Sequence, residues 1–461
     1  MKNIICLLVD RLHIGYWGAY GNSEIETPTL DRLASESFLA DRFYVDTTDP
    51  ARQCRSWWQG VHALAQSETP TIMAHLNTAG YRTVLITDDP DIAYSPDAGD
   101  FSDVHLLSTS TNSEPCDEID ETHLCGILAS LAATVESLAR SGAPYCLWCH
   151  LRGFDEIWDF PFSLRNKYCG EDDPEPYSGV RPPFTIPGDC AAQKTMLRSV
   201  AGSFTSYLSQ DDIRQAVVSA YMGGVTMFDE LLEMLTEPLR NGELGNETLF
   251  LLAGLRGVLF GEHGIIGIPP ADSELVEPLA SPLVQVPLAI RFPDGFGATV
   301  RADALLQPPD MTRLLYEWLE MPMPDSLQNT PSAVPNMLNL IREEPQNLQD
   351  RILIVASQPG TTWQPGTERS AVTGSTDVRA VSSLVTPTWF LQELVPATNA
   401  DDRFALYVKP DDRWDVNNVA GRCGEIVEQL IEVQADLARR LIAGDTTPLE
   451  PLPDILRERF Q

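Results

Sequence analysis

Short apolar runs alternate with helical patterns over most of this chain, and that rhythm restricts its fold more than any other feature. The runs Asn3–Val9, Arg82–Thr87, Pro144–His150, Thr248–Ala253, Pro287–Phe292 and Arg351–Val355 have the length and composition of buried strands. Between them lie helical patterns. Pro28–Ser37 is opened by Thr27 as N-cap, with Pro28 at the first helical position. About Ile119–Arg140, Leu124, Leu128, Leu131, Val135 and Leu138 share one face. The longest pattern, about Asp211–Leu235, places Val217, Tyr221, Val225, Phe228, Leu232 and Leu235 on a stripe. Strand, helix, strand in this order predicts an α/β fold: a mostly parallel, mixed central sheet flanked by helices, with its site beyond the carboxyl ends of the strands.

Two segments break the rhythm. From Asp155 to about Thr195 the chain is rich in Pro, Gly and acids and reads as a long surface excursion. Gln358–Ser375 is a Gly/Thr/Pro stretch, followed by short β runs at Asp377–Leu384, Thr388–Leu394 and Arg403–Val408 and by a closing helix near Glu425–Ala443. The expected division is a large α/β domain over residues 1–370 and a small C-terminal antiparallel-sheet domain with a closing helix over 371–461.

Charge narrows the partners. Thirty-two basic against 66 acidic residues leave a formal net charge of −34, a field that repels nucleic-acid phosphates and anionic membranes. Neither is expected as a partner. Lysine is scarce: Lys2, Lys167, Lys194 and Lys409 are all there are, so nearly every positive charge is an arginine. The run Ile4–Val9 is too short for a secretory signal, and no apolar stretch of about 18 residues suggests a membrane span. With nine scattered cysteines, an odd number, the expectation is reduced thiols and a cytoplasmic protein.

Several motifs, in order, resemble the sulfatases of the alkaline-phosphatase-like superfamily. They are Asn3-Ile4-Ile5 through Asp10, Gly18-Ala19-Tyr20-Gly21-Asn22, Thr27-Pro28-Thr29-Leu30-Asp31-Arg32-Leu33-Ala34, Ala79-Gly80-Tyr81-Arg82-Thr83, Gly261-Glu262-His263-Gly264 and Val286-Pro287-Leu288-Ala289-Ile290. Ala405-Leu406-Tyr407 with Asp415-Val416-Asn417-Asn418 resembles the stretch where that family's last strand leads into its final helix. The resemblance implies the sulfatase fold and sulfuric ester hydrolysis. It also implies a divalent cation, usually calcium, held by two adjacent acids after the first strand and by an Asp followed by His or Asn at a later strand end.

The matching residues depart from that pattern. The first acidic pair reads Asp10-Arg11 and the later pair Leu255-Arg256. Calcium takes roughly six to eight oxygen ligands, whereas guanidinium neither loses its charge nor offers a lone pair. A calcium site is therefore expected to be lost, with no other cofactor in its place. The nucleophile motif, Cys or Ser followed by x-Pro-x-Arg, reads Thr48-Asp49-Pro50-Ala51-Arg52. Oxidation of a secondary alcohol gives a ketone and never the aldehyde that the family uses. The sulfate-binding Gly-Lys-x-His reads Thr87-Asp88-Asp89-Pro90, and the position of a second lysine falls near Ile268. Glu156 falls near where a site histidine would sit.

Two functional readings remain open. In one, the protein is a catalytically silent member of the family that binds a ligand or partner. In the other, Thr48 serves a rebuilt site that hydrolyses sulfuric or phosphoric esters. Arg52, Arg55, Arg11 and Arg256 would suit a small anionic ligand; the competing expectation is that Arg11 and Arg256 stand in for the cation and pair with Asp10. His263 and Glu262 are expected to fix a turn, and Asp88-Asp89 and Thr111–Ser113 to belong to solvated loops. Cys146-Leu147-Trp148-Cys149-His150 matches a haem-attachment pattern, but strand alternation would turn its two sulfurs to opposite faces.

Overall fold

The computed structural model describes residues 2–65, 67–110, 112–185, 209–241, 243–270, 277–357, 381–394 and 403–458. Its strands, in chain order, are β1 (Asn3–Val9), β2 (Phe38–Phe43), β3 (Arg82–Thr87), β4 (Asp103–Leu106), β5 (Tyr145–Leu151), β6 (Phe184–Thr185), β7 (Thr248–Gly254), β8 (Leu259–Phe260), β9 (Ile266–Gly267), β10 (Leu288–Arg291), β11 (Arg301–Leu306), β12 (Leu353–Ser357), β13 (Val381–Val385), β14 (Trp389–Glu393) and β15 (Phe404–Val408). The helices that matter below are α1 (Pro28–Ser35), α2 (Pro50–Gln59), α3 (His123–Ser141), α4 (Gln210–Asn241), α5 (Pro308–Trp318) and α6 (Gly424–Ala443).

Eight strands form the central sheet in the order β11-β2-β10-β7-β1-β5-β3-β4. β1 lies parallel between β5 and β7, and β10 runs antiparallel to both its neighbours. All seven residues of β1 are buried, because its two faces feed two cores. Ile4, Cys6 and Leu8 join the layer that holds Trp57 and Trp58 of α2 and Met311 and Leu314 of α5. Ile5, Leu7 and Val9 join the layer that holds Leu30 of α1, Leu128 and Leu131 of α3, and Tyr221 and Phe228 of α4. Covering on both faces explains why these strands read as continuous apolar runs. By length and composition α3 could cross a membrane, yet its stripe of Leu124, Leu128, Leu131, Val135 and Leu138 is packed into the second core. Cys146 and Cys149 fall in opposite layers, as alternation along β5 requires.

The second sheet is antiparallel, β12-β13-β14-β15. One of its faces is covered by Ile426, Leu430 and Leu437 of α6. The other, through Leu353, Val355, Phe390 and Tyr407, is continuous with the first core. Residues 358–380, and with them the Gln358–Ser375 stretch and the expected 370/371 boundary, lie outside the described residues. β12 pairs with β13, so the small sheet takes its first strand from Leu353–Ser357. An apolar run carries no mark of which sheet it will join, which is why β12 reads in the sequence as one more central strand. β2, β4 and β11 are absent from the sequence reading: β2 carries Asp41 and Arg42 in its middle, and β4 and β11 are edge strands with exposed positions.

Candidate functional site

The carboxyl ends of β1, β5 and β7 meet in one crevice, and backbone constraints fix what projects into it. Asp10 N donates to Leu151 O at 2.9 Å, after which Arg11 turns with φ +60°. A non-glycine residue in the left-handed region costs of order 1–2 kcal/mol. Local bonds hold it there: Arg11 N donates to Asp10 Oδ1 at 2.9 Å, and the buried Tyr221 hydroxyl donates to Arg11 O at 2.6 Å. From β5, Gly153 takes φ +54°, with a Cβ position only 2.7 Å from Asp10 O. A side chain there would collide with the backbone, so glycine is what lets Asp155 approach. From β7, Leu255 N donates to Val9 O at 3.1 Å and its side chain enters the core, leaving Arg256 to face the crevice.

Five charged side chains then close on one another. Arg256 grips Asp10 with two prongs, Nε to Oδ1 at 3.0 Å and Nη2 to Oδ2, and Nη2 also reaches Asp155 Oδ1 at 3.0 Å. Arg11 Nε donates to the same Asp155 oxygen at 2.9 Å. Its two terminal nitrogens meet the two oxygens of Glu277 at 2.9 Å each, and Nη1 also donates to Gly257 O at 3.3 Å. Asp10 and Arg11 expose 3% and 2% of their side chains, so water does little of the screening. Burial pushes the Asp155 carboxyl up, but Arg256 and Arg11 outweigh it and hold it at about 2. Burial works against charge on Arg256 too, and Asp10 with Asp155 more than offsets it.

This arrangement corrects one expectation. The Arg11 side chain does not pair with Asp10, because the left-handed turn carries its guanidinium toward Asp155 and Glu277; Arg256 alone makes the side-chain pair with Asp10. Asp155 and Glu277 are members that the sequence reading missed. Asp155 sits beside the noted Glu156, while Glu277 lies in a segment without periodicity and offers no sequence signal.

Thr48 is half-buried at the entry to α2, and its hydroxyl makes no hydrogen bond among the described residues. Asp49 caps α2 by accepting from Arg52 N at 3.2 Å, and the Arg52 side chain lies against the same carboxylate at 3.5 Å. Gln53 Nε2 donates to Thr47 O and Leu255 O at 2.9 Å each, tying the start of α2 to the end of β7. Arg55 donates to Ala65 O at 2.6 Å, in the loop beyond the other end of α2. The structure thus brings Asp10, Arg11 and Arg256 together but keeps Arg52 and Arg55 out of their network.

At the end of β3 the expectation of a solvated loop fails for Asp88. It is buried, accepting from Arg152 N at 2.8 Å and from His123 Nε2 at 3.2 Å, which compensates its burial. Of the expected loop Thr111–Ser113, Thr111 lies outside the described residues, and Asn112 is half-buried, donating to Asp159 at 2.9 Å. Glu156 pairs with Arg152 and, at 3.2 Å, with Arg181. His150 on β5 is buried with Nδ1 3.4 Å from Thr87 Oγ1 and Nε2 without a partner among the described residues; burial lowers its pKa against the pull of Asp89, Asp10 and Asp88. His263 stands in a tight turn with φ +53°, where Glu262 accepts from Phe260 N at 2.5 Å.

The sulfatase family model matches residues 2–320. No curated protein sequence matches the chain. Among solved structures, a protein in complex with its substrate D-glucosamine-2-N,6-O-disulfate superposes with a TM-score of 0.69 at 18% identity, covering 96% of this chain and 99% of its own. The phosphonate monoester hydrolase of Agrobacterium radiobacter gives 0.67 at 14% identity over 96% of each chain. That of Silicibacter pomeroyi gives 0.65 at 16% identity, covering 96% of this chain and 95% of its own.

Proposed function

The chain belongs to the sulfatase family, and we propose that within it this protein is a non-catalytic member in which an arginine–carboxylate network takes the place of the metal ion. The observation that carries the reading is the two-pronged pair between Arg256 and Asp10. Asp10 is the one carboxylate left at the positions matching the family's metal ligands, and both its oxygens are engaged. A cation arriving there would have to displace a buried guanidinium and then sit beside it, which like charges oppose. The donor set therefore does not fit calcium, whose oxygen ligands must include several anions.

The nucleophile position supports the same reading. Thr48 lacks a hydrogen-bonded base among the described residues, and an unactivated secondary alcohol is a poor nucleophile. Where the family's sulfate-binding lysine would stand, Asp88 presents a negative charge that repels an anionic ester. Two guanidiniums bring the same charge as one calcium ion but without its Lewis acidity, so the crevice keeps its electrostatic balance and loses its chemistry.

The test is turnover of aryl sulfate, phosphate monoester and phosphonate monoester substrates by the wild type and Thr48→Ala, with metal content measured on the same preparation. The expected result is a buffer-level rate in both proteins and no stoichiometric divalent metal. A wild-type rate well above the blank that Thr48→Ala abolishes establishes the competing reading, an ester hydrolase with a rebuilt site.

A further inference from the structure

A cleft of about 350 Å³ opens at the C-terminal end of α2, between the loop that follows that helix, the start of α5, the strand β12 and the end of α6. It shares no residue with the Asp10 crevice, and its volume falls in the roughly 300–1,000 Å³ range of small-molecule sites. We propose that this cleft binds a small organic monocarboxylate with an apolar body, its carboxylate on Arg313 and its body against Leu437, Leu441 and Val61.

The charge arrangement on the inner side of the cleft is the ground for this. Asp310 is buried and fully used: Oδ2 accepts from Gln307 N at 2.8 Å and from Arg351 Nη2 at 2.7 Å, while Oδ1 receives Arg313 Nη1 at the longer distance of 3.3 Å. Arg351 spends its other nitrogens on Ala333 O and Leu305 O. Arg313 donates Nε to Leu327 O at 2.9 Å, and its Nη2 makes no hydrogen bond among the described residues. Among the described residues Asp310 is thus the one carboxylate that these two buried arginines hydrogen-bond; Glu317, one turn along α5, attracts Arg313 without a hydrogen bond to it. Burial, followed by repulsion from Arg351, depresses the Arg313 pKa despite Asp310 and Glu317, a condition that a bound anion relieves. Guanidinium presents a fork that a carboxylate matches.

The remaining acids of the lining select the ligand's charge. Glu68 is exposed and Asp445 half-exposed, so they stand at the open side and disfavour a second negative group. Arg440, a further cation of the lining, is already paired with Asp436 at 2.9 Å, so a single carboxylate is favoured over a phosphate or a dianion. The apolar wall is supplied by the inward face of α6, where Leu437 is buried and Leu441 half-buried.

The test titrates the full chain with 4-phenylbutanoate and octanoate by calorimetry, and with the uncharged 4-phenylbutanol. The carboxylates are expected to bind and the alcohol to bind at least roughly tenfold more weakly, the size of one lost charged hydrogen-bond pair. Arg313→Gln should weaken the carboxylates by a similar factor. Leu441→Trp, a change on a half-exposed helix face that leaves the arginines in place, should block them. No binding by wild type, equal binding of alcohol and acid, or carboxylate binding that survives Leu441→Trp overturns the proposal.

Discussion

Two regions of this molecule bury a pair of arginines, and they are built to opposite effect. In the Asp10 crevice Arg11 and Arg256 face Asp10, Asp155 and Glu277, three carboxylates for two guanidiniums, with two bidentate pairs among them. At the cleft beyond the far end of α2, the one carboxylate that Arg313 and Arg351 hydrogen-bond among the described residues is Asp310, which also caps α5, while Glu317 attracts Arg313 from one turn away. One set of charges is closed on itself. The other gives Arg313, which lines the cleft, a longer bond to Asp310 and leaves its Nη2 without a hydrogen bond among the described residues. How fully its hydrogen bonds are taken up, more than the presence of arginine, decides whether a buried cation is structural or is available to a ligand. The proposed carboxylate site lies away from the family's own site, where the sequence reading had put a small anionic ligand.

Removing an arginine from each region is the strongest way to break this contrast. Arg256→Leu leaves Asp10 buried without its side-chain partner and should destabilise by about 3–5 kcal/mol, the cost of an uncompensated buried charge. Because Asp10 is the group left stranded, the double change Asp10→Asn with Arg256→Leu should recover part of that loss in a urea-denaturation cycle. By comparison, Arg313→Gln leaves Asp310 still held by Arg351 and Gln307 N and should cost only about 1–2 kcal/mol. Equal losses at the two sites, or no coupling between Asp10 and Arg256, would erase the distinction.

An intermediate effect concerns acid stability. Asp155 is held at about 2 against an ordinary value of 3.8. A carboxyl with a lowered folded-state pKa contributes stability that is complete above its unfolded value and lost as pH falls through the folded one. Asp155 should therefore contribute roughly 2 kcal/mol at neutral pH, lost between about pH 4 and pH 2. Comparing the pH dependence of unfolding in wild type and Asp155→Asn checks this: the variant's curve should be flatter in that window, and a parallel curve would show that Asp155 does not carry the acid response.

Much of this architecture was legible in the sequence. β1, β5 and β7 are buried on both faces, so their apolar runs stand out, and the residues following them had to gather at one end of the sheet. That is why the pairing of Asp10 with Arg256 across 246 positions is legible in the sequence. Glu277 could not, since it reaches Arg11 from a segment with neither strand nor helix periodicity. Asp88 was misread for a related reason: an acid after a strand looks solvated unless its partners, here Arg152 N and His123, are already known. β12 shows the same limit at the level of sheets, because strand patterning fixes which side chains are buried and leaves open which neighbour supplies the hydrogen bonds.

The central claim is that arginine has taken the cation's place, and calcium itself tests it most directly. Thermal unfolding of the wild-type protein, measured in EDTA and again in calcium at millimolar concentration, should give the same midpoint, because a ligand stabilises a fold only in proportion to its occupancy of the native state. A calcium-dependent rise of several degrees would contradict the account, since it would require that the ion displace Arg256 from Asp10 and hold the crevice in its stead.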